Sequence, residues 1–386
     1  MHCIQKYAHS CNASLSQPKL EPSFFPTPFD EYITIDLGAE FNNRSYAFFE
    51  EVIRELLPIL QRNNIRIIQI GDPKDAPLEG VYYLNPQLNL NHTIYILSKS
   101  RLHLSSQSFS SNIANVLDVP QVLLYEANEK DICAPYWNRD LIKFILYKNS
   151  DRPSFGAPTK ENNINKIKPE KIAIEVAAQL QLDYSEITTN TLHLGHLYNL
   201  KGLEVIPNFN APNNLYANSV VNIRGDLAFS IPAIESWCSS GRKLAIKLPR
   251  VIDVNFLKHI KPHLQGIGYE VTIDSDPTLL KTLQSIGVPL KYITHETDSD
   301  KLKELRLKFL DFVIEQEIKA TKKDLDLSSD IDYTKLNFKS SKKILHNNQM
   351  FESLAHALSG SQNNNIIDSS MFWEDLKFYK IYSNNG

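Results

Sequence analysis

Cysteine is scarce in this chain, and its four residues, Cys3, Cys11, Cys133 and Cys238, are scattered without a CxxC pair. That distribution suggests neither a disulfide framework nor a structural zinc site and fits a reducing cytoplasm. Long apolar runs are also missing. No stretch approaches the roughly 20 apolar residues of a membrane span, and the start MHCIQKYAHSCNASLSQ lacks the apolar core of a signal peptide, so a soluble, cytoplasmic protein with no integral membrane segment is expected. A dominant charge is absent too: 41 basic against 44 acidic residues leave a net charge of −3, which gives no general attraction for nucleic acid. No Walker A loop, HExxH or GxSxG occurs, and neither glycine-ended strand carries GxGxxG. Asp253, Asp274 and Asp276 lie near predicted strand ends, but single scattered carboxylates do not make a metal site.

What is present is a strand–helix alternation. With 386 residues, and single cores ceasing to grow near about 250–300, two domains are expected. Residues 1–12 suit a short helix, and prolines at 18, 22, 26 and 28 then forbid one. YITIDLG reads as a buried strand ending in Gly38, SYAFFEEVIRELLPILQRN as an amphipathic helix, and IRIIQIG as a strand ending in Gly71. Together they form a βαβ unit, whose ligands bind beyond the carboxyl ends of the strands. Strands RLHLSS and QVLLYEA complete a domain over 1–150. The polar stretch 151–168 reads as a linker, and a helix at 169–181 opens a second alternation running to 320. The expected fold is thus α/β, with two doubly wound Rossmann-like domains facing a cleft. Residues 321–386 read as a polar segment with local disorder, followed by a docked C-terminal aromatic helix carrying Phe372, Trp373 and Tyr379. The run Lys339–Lys343 reads as a solvated charged stretch.

Two segments carry a family resemblance. DLGAEFNNRSYAFFEEV follows the first strand, and LHLSSQSFSSNIANVLDVPQVLLYEANEKDICAPYWN runs strand, polar turn, helix, strand and Pro/Trp segment. In order and spacing roughly the first 145 residues resemble the donor-binding half of the heptosyltransferase-like glycosyltransferases, which have the glycosyltransferase B fold. The departures are specific. Where that family has G-N-D-S-G-P-x-H-L-A, its Asp corresponds to Gln107, its Gly-Pro to Phe109 and Ser110, and its His to Asn112. A second echo, Gly225-Asp226-Leu227-Ala228-Phe229-Ser230-Ile231-Pro232-Ala233-Ile234, resembles the opening of the family's acceptor half, so the domain order would be permuted.

The resemblance implies a glycosyltransferase moving a sugar from a nucleotide-sugar donor to a hydroxyl acceptor, a glycan among the candidates. Asp226 takes the place of the base. Gly38, Arg44, Gly71, Ser105, Ser106, Gln107, Ser108 and Asn112 are the donor-binding candidates, with no metal and no cofactor required. Each has a plainer alternative: the Ser-rich turn and Asp226 as helix N-caps, Arg44 as a solvated side chain. The losses at Gln107 and Asn112 leave open a catalytically inactive nucleotide- or sugar-binding protein of the same fold. A competing signal, His193-Leu194-Gly195-His196, resembles the HxGH of nucleotidylyltransferases, but the short Leu197–Gly202 spacing before the next strand suits a hairpin with surface histidines better.

Overall fold

The computed structural model describes residues 1–38, 45–147, 163–212, 220–325, 336–360 and 369–384. The chain forms two compact units, residues 1–191 with 384–386, and residues 192–383.

The first unit is built on six parallel strands: β1 (Tyr32–Asp36), β2 (Arg66–Gln69), β3 (Tyr82–Tyr83), β4 (His103–Ser106), β5 (Gln121–Glu126) and β6 (Ile142–Tyr147). Their order is β3-β2-β1-β4-β5-β6. β1 is central and buried along its whole length, which explains its unbroken run YITID. After α1 (Cys3–Ser10), α2 (Phe49–Arg62) supplies the first crossover; Val52, Ile53, Leu56, Ile59 and Leu60 recur every three or four residues and are buried. The chain builds outward from β1 to β3, then returns through α3 (Leu90–Ser98) to place β4 on the other side of β1. The order therefore reverses between β1 and β4, and a parallel sheet opens a crevice beyond its carboxyl ends at such a point. Two further helices follow, α4 (Phe109–Val116) and α5 (Ala127–Cys133).

Residues 163–179 differ from expectation. Instead of opening a second domain, α6 (Pro169–Gln179) buries Ile172, Ala173, Val176 and Ala177 in the first unit and packs on α2. The Tyr46 hydroxyl donates to the Ile167 carbonyl at 2.8 Å, and the Ala47 N–H to Asn165 Oδ1 at 2.8 Å.

β7 (Thr189–Leu194) leads into the second unit, with β8 (Gly202–Val205), β9 (Val221–Arg224), β10 (Leu244–Lys247), β11 (Leu264–Glu270), β12 (Leu290–Thr294) and β13 (Ile314–Gln316). β8 to β13 are parallel and lie side by side in sequence order. Both units are α/β with parallel sheets, as the sequence implied, but this one advances in a single direction. Right-handed crossovers then put α7 (Ile231–Ser239), α8 (Val254–Ile260), α9 (Pro277–Ser285) and α10 (Ser299–Lys308) on one face. The core accords with this. Val205, Val221, Ile223, Leu244, Ile246, Ile267 and Tyr269 join Trp237, Leu257, Leu283 and Leu305 in one cluster, while the alternate strand positions point away from it.

The C-terminal region departs most from the sequence reading. β14 (Asn337–Ser340), β15 (Lys342–His346) and β16 (Gln349–Phe351) are strands; β15 extends the large sheet beside β8, and β16 pairs with it antiparallel. After α11 (Leu354–Ser359), the expected aromatic helix is reduced to the short α12 (Ser370–Trp373) and a single 3-10 turn at Leu376–Phe378, and the chain then continues as β17 (Tyr379–Asn384), paired antiparallel with β14. Burial of the aromatics was anticipated correctly: Phe338, Phe372, Trp373, Leu376 and Tyr379 form a core of their own. The charged run fails as a solvated stretch because it alternates in and out across two strands, with Ser340 and Lys342 buried. Residues 326–335, within the segment expected to be disordered, lie outside the described residues.

Candidate functional site

At the point of reversal in the first unit, β1 ends at Asp36 and Gly38 follows, while β4 ends in the turn Ser105–Ser108 that opens α4. Asp36 is buried. Its Oδ2 accepts from Ser110 Oγ at 2.5 Å and its Oδ1 from the Gly38 N–H at 3.0 Å. Ser110 Oγ lies 2.9 Å from His103 Nε2 and 2.8 Å from Ser108 Oγ, and His103 Nδ1 lies 3.0 Å from Thr34 Oγ1. One proton order satisfies the chain: Thr34 donates to Nδ1, Nε2–H to Ser110, and Ser110 to Asp36. Burial pushes Asp36 up to about 6, helped by the charge of Asp75 and opposed by the Ser110 and Gly38 hydrogen bonds. Burial also drives His103 down to about 3, so its imidazole is neutral. Sequence reading missed these residues, although an Asp and a His within apolar strands were visible in YITID and RLHLSS.

The anticipated donor residues divide. Ser106 Oγ donates to the Leu37 carbonyl at 3.0 Å and ties β4 to the end of β1. Ser108 is the N-cap of α4, accepting from the Ser111 N–H at 3.3 Å, so the plainer reading of the turn holds for it. Gln107 Nε2 points to Cys133 Sγ at 3.1 Å, and Asn112 Nδ2 donates to the Ser108 carbonyl at 3.3 Å. Ser105 Oγ is buried without a hydrogen-bond partner among the described residues. Gly71, two residues past β2, has φ +136°, and a Cβ there would stand 2.9 Å from Asp36 Oδ1 and 3.0 Å from Asp75 Oδ2. Gly38 and the turn thus gather around Asp36, with Gly71 pressed against the same carboxylate. Arg44 lies outside the described residues.

In the second unit Asp226 follows β9. Arg224 holds it by two parallel bonds, Nε to Oδ1 and Nη2 to Oδ2, each 2.9 Å, and Lys247 Nζ lies 3.3 Å from Oδ2. Burial raises its carboxyl, but Arg224 and Lys247 outweigh burial and hold it below the usual range. Both oxygens face cations that favour the charged carboxylate, so accepting a proton is opposed by Arg224 and Lys247. Gly225 has a local reason: a Cβ would meet the Lys247 carbonyl oxygen at 2.8 Å. Ser230 caps α7, with Pro232 in its first turn. The turn and cap thus account for much of the G-D-x-x-x-S-x-P-A pattern.

Arg224 Nη1 also donates to Glu204 at 3.0 Å, and Lys342 Nζ bridges Glu204 at 3.1 Å and Asp375 at 2.5 Å. Burial lowers Lys342, yet the two carboxylates outweigh it and keep the ammonium charged. His193 Nε2 meets the Leu376 carbonyl at 3.1 Å, and a Cβ on Gly195 would lie 2.2 Å from the Lys377 oxygen, so the His-Gly-His segment serves the seat of β7 against the C-terminal segment. No group of three or more His, Cys, Asp or Glu among the described residues could hold a metal ion, and no described helix is long and apolar enough to cross a membrane.

No protein-family profile matches the chain. No curated protein matches it. Among solved structures it resembles E. coli ADP-heptose LPS heptosyltransferase II at 16% identity, covering 46% of this chain and 50% of that one with a TM-score of 0.32. It is also similar to E. coli heptosyltransferase WaaC with ADP, at 18% identity, 46% and 57% coverage and a TM-score of 0.33. Acinetobacter baumannii MurG aligns over 75% of this chain and 86% of its own, at 10% identity and a TM-score of 0.21. The chain thus spans about half the length of the two heptosyltransferases.

Proposed function

We propose that the chain is a glycosyltransferase that binds a nucleotide-sugar through its first unit and transfers the sugar to a hydroxyl acceptor. One observation carries the reading: the strand order reverses between β1 and β4, where Gly38 and the α4 N-terminus meet. N–H groups at a helix start and a glycine that lets backbone approach suit a diphosphate. The sugar-transfer half rests on the sequence resemblance. In the reaction the bond from the anomeric carbon to the diphosphate oxygen breaks and its electron pair leaves with the diphosphate. The acceptor oxygen bonds to that carbon, and its proton passes to a base. Asp226 is the base we propose, acting once Lys247 or Arg224 has yielded; Arg44 is proposed as a diphosphate contact on sequence grounds alone.

A second reading, binding without transfer, is favoured by the cations paired with Asp226, which make it a weak base. A thermal-shift series with nucleoside diphosphates and nucleotide-sugars tests both. A ligand at 100 times its Kd should stabilise the protein by about 2.7 kcal/mol, and absence of any shift would remove the proposal. Asp226→Asn should then lower turnover by about 10²–10⁴ with donor affinity unchanged. Donor binding without transfer or donor hydrolysis by the unaltered protein would favour the second reading.

A further inference from the structure

The sheet face of the second unit turned away from α7 to α10 floors a cavity of about 710 Å³, walled by the C-terminal segment around Asp375 and Phe378. Parallel sheets are ordinarily covered on both faces, and here the floor is kept low. Gly266 and Gly268 occupy alternate positions of β11 on the cavity side, with Ala245 beside Gly266 on β10. The two glycines are not demanded by the backbone. Neither has a positive φ, and the atoms nearest an added Cβ are the Pro289 oxygen at 3.7 Å for Gly266 and the Ile246 oxygen at 4.0 Å for Gly268. Glycine weakens a strand by roughly 0.5–1 kcal/mol relative to alanine, so two of them in a central strand, where side chains would fit, keep a surface clear for something that lies against it.

The charge of the lining indicates the class of ligand. Six cationic and six anionic side chains face the cavity, so it favours neither sign. Its most buried members are paired, Arg224 with Glu204 and Asp226, Lys342 with Glu204 and Asp375. A phosphate would find these cations already neutralised and would lie beside the carboxylates Glu204, Asp226 and Asp375 as a like charge, which is costly for buried groups. Hydroxyls need not: the guanidinium and ammonium have donors to spare and the carboxylates spare lone pairs. Phe378 adds apolar surface, with Lys342 Nζ 4.9 Å and Lys377 Nζ 5.6 Å from its ring centroid.

We propose that this cavity is a binding site for an uncharged carbohydrate, whose ring lies on the Gly266–Gly268 floor and whose hydroxyls bond to the paired charges around Arg224 and Lys342. It rests on the proposed function only in making that carbohydrate the acceptor; the binding itself does not.

Saturation-transfer NMR on the full chain with maltose, lactose and cellobiose, against glucose 6-phosphate and glucosamine, tests the site. The neutral disaccharides should give signals at least tenfold stronger than the charged sugars. Gly268→Leu and, separately, Gly266→Leu should abolish them, with the circular dichroism and nucleoside-diphosphate thermal shift of each variant unchanged. Equal or stronger signals from the charged sugars, signals surviving both substitutions, or no signal from any sugar would overturn the proposal. Failure of the nucleotide reading would look different: no nucleoside-diphosphate shift, with the disaccharide signals intact.

Discussion

In the first unit the strand order reverses between β1 and β4, and a polar network runs from His103 at the start of β4 through Ser110 to Asp36 at the end of β1. In the second unit the parallel strands advance in one direction, the four described crossover helices α7 to α10 pack on one face, and the charged groups gather on the other. The same alternation of strand and helix thus yields two kinds of polar site. Reversal makes a crevice at strand ends; single winding leaves a sheet face for small residues and paired charges. The sites also differ in how they tolerate charge. The first has hydroxyls, a neutral imidazole and a carboxyl raised to about 6, whereas in the second pairing with cations holds Glu204 and Asp226 below the usual carboxylate range, although burial still raises Asp375.

The sharpest way to break this contrast is to remove one partner from the second network. Lys342→Met leaves Glu204 and Asp375 buried without their shared cation, and should cost about 3–5 kcal/mol in urea unfolding. Lys377→Met, which breaks a partly exposed pair with Glu317, should cost under about 1 kcal/mol. Equal losses would show that burial of the network is unimportant. Because Glu204 is held below its ordinary range, its contribution is present above that range and lost as pH falls through the depressed value.

Next in size is a pair of glycine substitutions. Gly71→Ala, at φ +136° and against Asp36, should destabilise by about 2–3 kcal/mol. Gly268→Ala, whose Cβ would make only ordinary contact with Ile246 and Lys247 at 4.0 Å and whose φ is not positive, should be neutral or stabilise by up to about 1 kcal/mol. A thermal-unfolding comparison that found the two alike would undercut the claim that only the first is conformationally required.

The third prediction concerns opposed slopes within the first network. Asp36 rises from 3.8 to about 6 on folding, so its contribution is lost as pH increases across that window. His103 falls from 6.5 to about 3, so its contribution grows as pH increases toward 6.5. Between pH 4 and 6 the two largely cancel. Relative to the unaltered protein, His103→Gln should lose stability with rising pH and Asp36→Asn should gain it, each by about 2 kcal/mol across the window. Parallel slopes for the two variants would contradict the linked network.

The βα alternation of the first unit was legible because buried parallel strands read as apolar runs ending in Gly38 and Gly71. The turn at Ser105–Ser108 was legible because N-caps have a residue signature. Strand order was not, since it depends on which edge a returning strand joins. Lys342 was misread because a lysine run is locally a surface signal; only the pairing of β15 with β8 buries it beside Glu204. The C-terminal aromatics announced burial but not conformation. Their spacing suits one continuous helix, but helical structure is confined to α12 and a turn at Leu376–Phe378, and from Tyr379 onward β14, distant in local sequence, pairs with the chain as a strand.

The central claim, that the reversal between β1 and β4 forms the nucleotide site, is tested most directly by an amide-resolved NMR titration of the full chain with a nucleoside diphosphate. The account predicts that the largest shifts fall on Gly38, Gln107, Ser108 and Asn112, with Gly266 and Gly268 unmoved. Shifts centred on β11, or none at saturating ligand, would contradict it.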